Sequence, residues 1–339
     1  MTIVNFGSET TTADGYRLTT DEGAFMQYFN LDNGKLPLSR IILGTATGAC
    51  CNGENCDEVF NEALKLGVTT FDTARVYGRS EEVIGDWLER TGNREKVNLL
   101  SKGGHHTPLL KKRVNRKEIL SDLEVSLQKL KTDYIDIYLL HRDDKSVLVG
   151  ELVETLNEAY TQGKIKAFGG SNWTPRRLEQ ANEYAYQRGL QPFTISSPYY
   201  GLADMKESFF AYGLVGLTGK EKQADRLWYQ NNQMPVVAYS TLGNGLFSGK
   251  VEKRGDLSPF WVRSAFGSEA NFQRLARAKE LAQKKGCTLS QIAIAWSLHS
   301  SINVFPIIGT SRAKHLRSAV EALQISLSEE EYAYLSFIK

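Results

Sequence analysis

Short apolar runs alternate with longer stretches of helical spacing along most of the chain. The apolar runs are rich in Val, Ile, Leu and Phe, and these residue types favour strands. Several runs are apolar at nearly every position, which indicates strands that are buried on both faces, as in a parallel sheet. Eight strands are predicted to begin near Ile41, Thr69, Val97, Tyr134, Ala167, Phe193, Val236 and Val304.

The stretches between the runs predict amphipathic helices. Residues 116–133, 151–163 and 288–299 carry apolar side chains at three- and four-residue spacing. That spacing is typical of helices that bury one face. Gly163 is suited to end the second helix, because glycine readily adopts the left-handed conformation that is common at helix C-termini.

Strands and helices that alternate eight times indicate parallel strands joined by crossover helices. Eight such units in 339 residues favour a closed (β/α)8 TIM barrel of the α/β class. An open doubly wound sheet is the alternative, but it needs a Gly-x-Gly-x-x-Gly fingerprint after its first strand. The sequence at that place is LGTATGACCNG, residues 43–53, which lacks the spacing.

The chain has no linker or break in composition, so the prediction is one barrel domain over residues 1–339. Residues 1–35 are expected to form an N-terminal extension. Two connections are longer than the others: residues 199–222 follow the sixth strand, and residues 242–271 follow the seventh. Both leave the C-terminal face of the barrel, where long loops usually shape a substrate pocket.

Composition narrows the class of protein. Apolar residues make up 41% of the chain and charged residues 24%, as in ordinary globular proteins. The net charge of +2 argues against nucleic acid or a membrane surface as the main partner. The chain has no apolar run of about 18 residues and no signal-peptide pattern at its start. Four cysteines are too few for a disulfide scaffold, so a cytoplasmic protein is expected.

Four polar residues follow the second, third and fourth predicted strands: Asp72, Tyr77, Lys102 and His141. Taken singly, each of them is best explained by a structural role and not a catalytic one, such as a helix cap, a packed ring or an exposed charge. In a barrel, however, the C-terminal ends of neighbouring strands open into one shared site. The four residues are therefore predicted to lie together as a catalytic set.

This set suits proton transfer to a carbonyl oxygen. A phenol has a pKa of about 10, which makes it a poor acid at neutral pH. We expect Lys102 to lower the pKa of Tyr77, and Asp72 to hold Lys102 charged and in place. His141 can donate a second hydrogen bond to the oxygen. None of these groups is a reductant, so a hydride has to come from a cofactor.

The motifs FDTARVYGRSEEVIG, LLSKGG, LLHR and GKIKAFGGSN together resemble those of the aldo-keto reductases, in the same order along the chain. The resemblance extends from Ile41 to about Leu327. It implies a (β/α)8 barrel that binds NADPH, or sometimes NADH, without a Rossmann domain. It also implies that Tyr77 is the general acid and base, that Lys102 and Asp72 tune it, and that His141 positions the carbonyl.

The resemblance further implies a cofactor-binding set. Ser171 and Asn172 match the pair that holds the nicotinamide carboxamide, and Tyr239 matches the ring that stacks on the nicotinamide. Residues after the seventh strand match the pyrophosphate site, and residues after the eighth match the adenosine phosphate site. The complete set is Gly44, Thr45, Ser171, Asn172, Ser197, Tyr239, Ser240, Leu242, Gly243, Gly309, Thr310, Ser311, Arg312 and His315.

Several positions depart from the family pattern. Arg75 stands where the family commonly has an acid, and Ser197 stands where a Gln usually meets the carboxamide. The Glu-Asn pair that usually meets the adenine is replaced by Ser318 and Ala319. Arg312 and Lys314 lie near a predicted helix start and are suited to neutralise a 2′-phosphate. NADP is therefore the expected cofactor, with NAD as the alternative.

Two groups of residues have more than one interpretation. Cys50, Cys51 and Cys56 follow the first strand, and His105 and His106 follow the third. Their spacing is not that of a usual zinc site, so no metal is predicted; loop packing or pocket lining is favoured over thiol redox regulation. A second group is aromatic and leaves strand ends, where it is expected to form pocket walls that suit a sugar or polyol: Trp173, Tyr199, Tyr200 and Phe247.

The leading prediction is an NAD(P)-dependent oxidoreductase that interconverts a carbonyl, in an aldehyde, ketone or sugar, and an alcohol. Its partner is then a small-molecule carbonyl or sugar substrate. A cofactor-sensing regulatory subunit with little turnover is the alternative. A Schiff-base lyase or isomerase on Lys102 is disfavoured, because that chemistry leaves Tyr77 and Asp72 without a role.

Overall fold

Two sheets organise the chain, an antiparallel sheet near its start and a closed barrel. Both belong to a computed structural model. It describes residues 4–6, 9–11, 16–21, 24–31, 36–107, 109, 111–206 and 213–337.

The antiparallel sheet has five strands, each paired with the next along the chain. They are β1 Val4–Phe6, β2 Glu9–Thr11, β3 Tyr16–Asp21, β4 Ala24–Leu31 and β5 Leu36–Ser39. The segment predicted as an N-terminal extension thus contains four strands. Buried Leu31, Leu36 and Leu38 pack against the interior of the barrel. Because β5 directly precedes the first barrel strand, this contact lies at the N-terminal end of the barrel.

The eight predicted barrel strands are confirmed. Each pairs in parallel with the next, and the last pairs with the first through Ile307 and Ile42, so the barrel closes. The strands are β6 Ile42–Gly44, β7 Thr70–Asp72, β8 Asn98–Gly103, β9 Ile135–Leu140, β10 Ile165–Ser171, β11 Ile195–Ser197, β12 Val236–Ala238 and β13 Val304–Gly309.

Helices surround the barrel, and the three predicted from apolar spacing appear as α4, α5 and α10. They are α1 Gly48–Asn52, α2 Asp57–Lys65, α3 Ser80–Thr91, α4 Arg116–Leu130, α5 Val149–Thr161, α6 Pro175–Arg188, α7 Gln223–Asn232, α8 Phe260–Phe266, α9 Glu269–Lys285, α10 Leu289–His299, α11 Ala313–Glu321 and α12 Glu329–Ser336. No helix in the described ranges is long and apolar enough to cross a membrane.

Local signals explain where these helices begin and end. The Asn115 side chain accepts a hydrogen bond from the backbone N–H of Glu118 and so caps the start of α4. Thr288 and Gln291 form a reciprocal capping box at the start of α10. Gly163, with φ of 73°, follows α5 in the predicted left-handed conformation.

The two long connections leave the C-terminal end of the barrel, as predicted. The first returns alongside its own strand, because the backbone of Tyr199 hydrogen-bonds to Val215 and Leu217. The second contains a 3-10 turn at Arg254–Asp256 and the whole of α8. Together they bring side chains far from the strands in sequence to the rim of the barrel.

Candidate active site

A cavity of about 950 Å³ opens at the C-terminal ends of the barrel strands. Most of the predicted site residues line it, and they come from all eight strands or the loops after them. They are Gly44, Asp72, Tyr77, Lys102, His141, Ser171, Asn172, Ser197, Tyr239, Ser240, Leu242, Gly309, Thr310 and His315.

Four predicted cofactor residues do not line the cavity: Thr45, Gly243, Ser311 and Arg312. Thr45 is buried, and its Oγ1 donates to the Asp72 carbonyl at 2.8 Å, so it ties β6 to β7. Gly243 lies in a turn with φ of 61°, a conformation that favours glycine. Ser311 and Arg312 are exposed beside the start of α11.

Lys102 and Asp72 form a buried ion pair at the ends of β8 and β7. Lys102 Nζ donates to Asp72 Oδ1, and also to the Thr73 carbonyl at 3.0 Å. Burial by itself lowers the pKa of Lys102, but the Asp72 carboxylate and the Tyr77 phenol raise it above its usual value. Lys102 therefore keeps its charge although it is buried. This is the effect that was predicted for Asp72 from the sequence.

Tyr77 is held in the turn between β7 and α3. Its backbone N–H donates to Ala74, and its carbonyl accepts from Ser80. Gly78 has φ of 56°, and any side chain there would overlap the Cys51 carbonyl, so only glycine fits this turn. Lys102 Nζ lies 5.2 Å from the centre of the Tyr77 ring. The His141 ring centre lies 5.7 Å from it on an edge-to-face geometry.

Burial changes one expectation about Tyr77. It raises the pKa of the phenol above its usual value, and this outweighs the lowering by Lys102 and Arg142. The prediction that Lys102 acts to lower the pKa of Tyr77 has the right sign, but the net direction is upward. The phenol therefore keeps its proton at neutral pH and is able to donate it.

His141 is a neutral imidazole in this environment. Burial lowers its pKa well below the usual value, and the positive charges of Arg142 and Lys102 act in the same direction. Its backbone N–H donates to Gly103 at 2.8 Å, which joins β8 to the end of β9. A neutral imidazole can hydrogen-bond a carbonyl oxygen without adding a charge.

The residues predicted to hold the nicotinamide are bound to one another. Asn172 Nδ2 donates to the His141 carbonyl and to Ser171 Oγ. Asn172 Oδ1 accepts from the Tyr239 hydroxyl at 2.8 Å and from the backbone of Val215 at 3.1 Å. All four hydrogen bonds that this amide can form are thus used within the protein. Asn172 links the proposed nicotinamide site to His141.

Ser197 behaves differently. Its side-chain oxygen is buried in the cavity wall and has no hydrogen-bond partner in the part of the chain that the structure describes. A buried polar atom of this kind normally has a partner. Ser197 Oγ is therefore available to a bound molecule, at the position where the family pattern usually has a Gln.

The far end of the cavity is basic. His315 lines it, and its pKa is lowered by burial and by the nearby charges of Lys314, Arg312 and Lys250. Lys250 also lines the cavity, as do Ser318 and Ala319. This end therefore suits an anionic group such as a phosphate.

The prediction of aromatic pocket walls is wrong. Trp173, Tyr199, Tyr200 and Phe247 are almost fully buried in the core, and none of them lines the cavity. Side chains of the two long connections take that place instead, including Met205, Leu214, Trp261 and Phe266. The length of those connections was therefore the useful sequence signal for the pocket walls. The position of aromatic residues at strand ends was not. The preference for a sugar rested on these four rings and loses its support.

His105 and Arg142 also line the cavity. Pocket lining was one of the interpretations favoured for the loop of His105, whereas Arg142 was not among the predicted site residues. His105 lies with its ring centre 4.7 Å from that of His141. The signal for both was position, because each directly follows a catalytic strand end.

Two of the three cysteines after the first strand, Cys50 and Cys56, are in contact. Cys50 Sγ and Cys56 Sγ lie 2.7 Å apart as free thiols. The hydrogen bond from Cys56 lowers the pKa of Cys50 to about 7. Within the described residues, no three His, Cys, Asp or Glu side chains form a group that could hold a metal ion.

Comparison with known proteins identifies the class. The sequence profile described as the Aldo/keto reductase family matches residues 40–338. Versiconal hemiacetal acetate reductase of Aspergillus parasiticus is 27% identical over 91% of this chain and 96% of its own length. Aldo-keto reductase str7 of Strobilurus tenacellus is 31% identical over 81% of this chain and 78% of its own. The chain belongs to the aldo/keto reductase family.

This membership confirms the family resemblance, the barrel and the enzyme class. The protein is an oxidoreductase that interconverts carbonyl and alcohol groups, in a family that uses NAD(P)H and acts on small carbonyl compounds. A bacterial relative, Uncharacterized oxidoreductase YrpG of Bacillus subtilis (strain 168), is 28% identical over 90% of this chain and 93% of its own length.

Proposed function

We propose that the protein is an NADP-dependent carbonyl reductase in which Tyr77 donates the proton. One observation carries the proposal. The ring of Tyr77 lies close to both a buried ammonium and a neutral imidazole, with Lys102 Nζ at 5.2 Å and the His141 ring centre at 5.7 Å from its own centre, in the wall of the cavity. This arrangement provides one proton donor, one charge that stabilises the donor after it has lost its proton, and one neutral hydrogen-bonding partner.

The residues present fit a nicotinamide dinucleotide. Ser197 Oγ offers an unused hydrogen bond near the strand ends, and Tyr239 offers a ring that its hydroxyl bond to Asn172 holds in place. The basic end of the cavity, with Lys250 and His315, would hold the phosphates. NADPH, when bound, supplies the hydride, so that carbonyl, NADPH and a proton become alcohol and NADP⁺.

The chain's own residues then handle the proton. Tyr77 gives its proton to the carbonyl oxygen as that oxygen gains negative charge, and His141 orients the oxygen by a hydrogen bond. Lys102 stabilises the phenolate that results, because its positive charge lowers the pKa of Tyr77. Asp72 keeps Lys102 protonated and fixed. The reverse reaction uses the same groups in the opposite order.

The choice of NADP over NAD rests on charge. Arg312, Lys314 and Lys250 all lie close enough to His315 to lower its pKa. A 2′-phosphate would neutralise part of this positive cluster, whereas the hydroxyl of NAD would not. We therefore expect NADPH to bind more tightly than NADH.

The first test replaces Tyr77 by Phe, which removes the proton donor and keeps the ring. Turnover should fall by a factor of about 10² to 10⁴, the usual contribution of general acid catalysis. NADPH binding, measured by fluorescence titration, should remain close to that of the wild type. Tyr186→Phe is the matched control, because Tyr186 is an exposed ring on α6.

Turnover that survives in Tyr77→Phe would exclude Tyr77 as the proton donor. The same titration with NADH tests the cofactor preference. A wild-type protein that binds NADPH but reduces no member of a broad panel of aldehydes and ketones would favour the regulatory alternative.

A further inference from the structure

Arg142 brings a guanidinium to the wall of the cavity, beside the proposed catalytic residues, and within the described residues no carboxylate pairs with it. It follows His141 directly at the end of β9 and lines the cavity. Its charge lowers the pKa of His141 and of His105. It also opposes the rise in pKa that burial causes at Tyr77 and Tyr239. Arg142 is thus close to the four polar rings that surround the proposed reaction site.

The guanidinium has donors that the protein does not use. Nη1 donates to the His141 carbonyl at 2.9 Å. Nε is buried and has no hydrogen-bond partner within the described ranges. Burial lowers the pKa of Arg142, and only the phenols of Tyr239 and Tyr77 act against it. No carboxylate among the described residues contributes.

Two other partly buried arginines are paired with carboxylates. Arg94 pairs with Asp136 at 2.8 Å, and Arg113 pairs with Asp122 at 2.8 Å. A buried charge is costly unless it is paired, so pairing is the rule in folded proteins. Arg142 has no carboxylate partner among the described residues. Arg75 Nε is likewise buried without a hydrogen-bond partner there, but only Arg142 of the two lines the cavity.

Two described carboxylates of this region are already engaged with other cations. Asp72 lines the same cavity but is bound to Lys102. Asp143, the next residue along the chain, pairs with Arg177 at 3.1 Å instead. The described lining of the cavity therefore keeps a net positive charge at Arg142.

We infer that Arg142 binds an anionic group of the substrate, and that the substrate is a carbonyl compound carrying a carboxylate, phosphate or sulfonate. This inference rests on the proposed function. A guanidinium recognises such oxyanions through two parallel hydrogen bonds, which gives both energy and orientation. Because Arg142 is adjacent in sequence to His141 and close to Tyr77, the anion lies within a few bonds of the reacting carbonyl.

The test compares matched aldehydes with NADPH as the reductant. Benzaldehyde, 4-carboxybenzaldehyde and 4-formylbenzenesulfonate differ only in the charged group. Glyceraldehyde and its 3-phosphate add the phosphate case. In the wild type, kcat/KM for at least one charged member should exceed that of its neutral partner by about tenfold or more, the usual effect of a charge-assisted hydrogen bond. The member with the largest ratio identifies the oxyanion.

Arg142→Met removes the charge at similar length. It should lower the charged-to-neutral ratio of kcat/KM at least tenfold, mainly through KM, because the lost contact exists before the chemistry begins. Arg142→Lys keeps the charge but lacks the planar guanidinium. Its charged-to-neutral ratio of kcat/KM should lie between those of the wild type and Arg142→Met. Arg176→Met is the control, because Arg176 is an exposed cation on α6. Calorimetric titration with benzoate and benzyl alcohol gives a readout without turnover: only benzoate should lose affinity in Arg142→Met.

The outcomes separate this inference from the proposed function. Reduction of neutral aldehydes with no preference for any charged partner would overturn the inference and leave the reductase intact. An equal loss of kcat on charged and neutral aldehydes in Arg142→Met, with a shifted pH profile, would also overturn it, because Arg142 would then act on Tyr77. Failure to bind NADPH at all would count against the proposed function itself.

Discussion

Tyr77, His141 and Lys102 share one environment and respond to it differently. Burial favours the uncharged form of each group. It raises the pKa of Tyr77 and lowers the pKa of His141, so both are neutral at pH 7. Lys102 alone keeps its charge, because Asp72 pairs with it. At neutral pH the site therefore combines a protonated phenol with a charged ammonium.

His105 is expected to make stability depend on pH. Burial and the charge of Arg142 lower its pKa from 6.5 to about 4 in the folded protein. Between those values the unfolded chain binds more protons than the folded protein, so stability falls as the pH falls through this range. His105→Gln should reduce the loss between pH 7 and pH 5 by roughly 1 kcal/mol, a figure discounted for partial exposure.

Urea unfolding of the wild type and His105→Gln at the two pH values measures this effect. His299→Gln, at the end of α10 and outside the cavity, is the control. Some pH dependence should remain in His105→Gln, because the lowered pKa of His141 acts in the same direction. An unchanged difference between pH 7 and pH 5 would show that His105 is not held neutral.

Among the helices, α3 and α4 are in close backbone contact. Helix α3 starts directly after the turn that holds Tyr77, and it packs on α4. The contact depends on Gly85: a Cβ at this position would overlap the Lys129 backbone oxygen and lie 2.9 Å from the Leu130 carbonyl carbon. The two helices are therefore as close as their backbones allow.

Gly85→Ala should force α3 and α4 apart. Overpacking of this kind costs about 1 to 3 kcal/mol, and urea unfolding should show a loss of free energy of unfolding in that range. Gly48→Ala at the start of α1 is the control, because nothing lies within 4 Å of the added Cβ. Equal stability of the two variants would mean that the helices separate at no cost.

In the molecule as a whole, the two ends of the barrel differ: one packs against the N-terminal sheet, and the other carries the cavity. Leu31, Leu36 and Leu38 of the N-terminal sheet pack against barrel residues such as Ile42 and Leu100. The cavity lies at the opposite end, where the strands finish. In barrels of this kind, one end commonly serves stability and the other chemistry.

Leu38→Ala tests this division. Its side chain is fully buried, so truncation should leave a cavity and lower the free energy of unfolding by about 2 to 5 kcal/mol. The affinity for NADPH, measured below the unfolding transition, should stay that of the wild type. Asn30→Ala is the control, as an exposed residue in β4 of the same sheet. A change in affinity would show that the two ends are coupled.

Local pattern was enough for the strands, for three helices and for the grouping of four polar residues at one end of the barrel. Apolar runs and helical spacing are properties of neighbouring residues, and eight repeats of them left few ways to close the sheet. Strand order then placed Asp72, Tyr77, Lys102 and His141 at one end, because each lies at the end of a parallel strand or just after it. The grouping of these four residues could thus be predicted from their order along the chain, without knowledge of any distance between them.

Other features depended on contacts between distant parts of the chain. The upward shift in the pKa of Tyr77, the lack of a hydrogen-bond partner for Arg142 Nε within the described residues and the lining by Trp261 and Phe266 all depend on which side chains the fold brings together. The antiparallel sheet formed by strands β1 to β5, and the close contact of α3 with α4 at Gly85, likewise could not be predicted from the spacing of neighbouring residues.

The order of residues along the chain was thus sufficient to predict the barrel and the chemical groups at the ends of its strands. The protonation of those groups, and the charge that remains for a substrate, became clear only from the folded structure. Burial and pairing depend on neighbours brought together by folding, such as Asp143 turning to Arg177 and leaving Arg142 free of a carboxylate within the described residues.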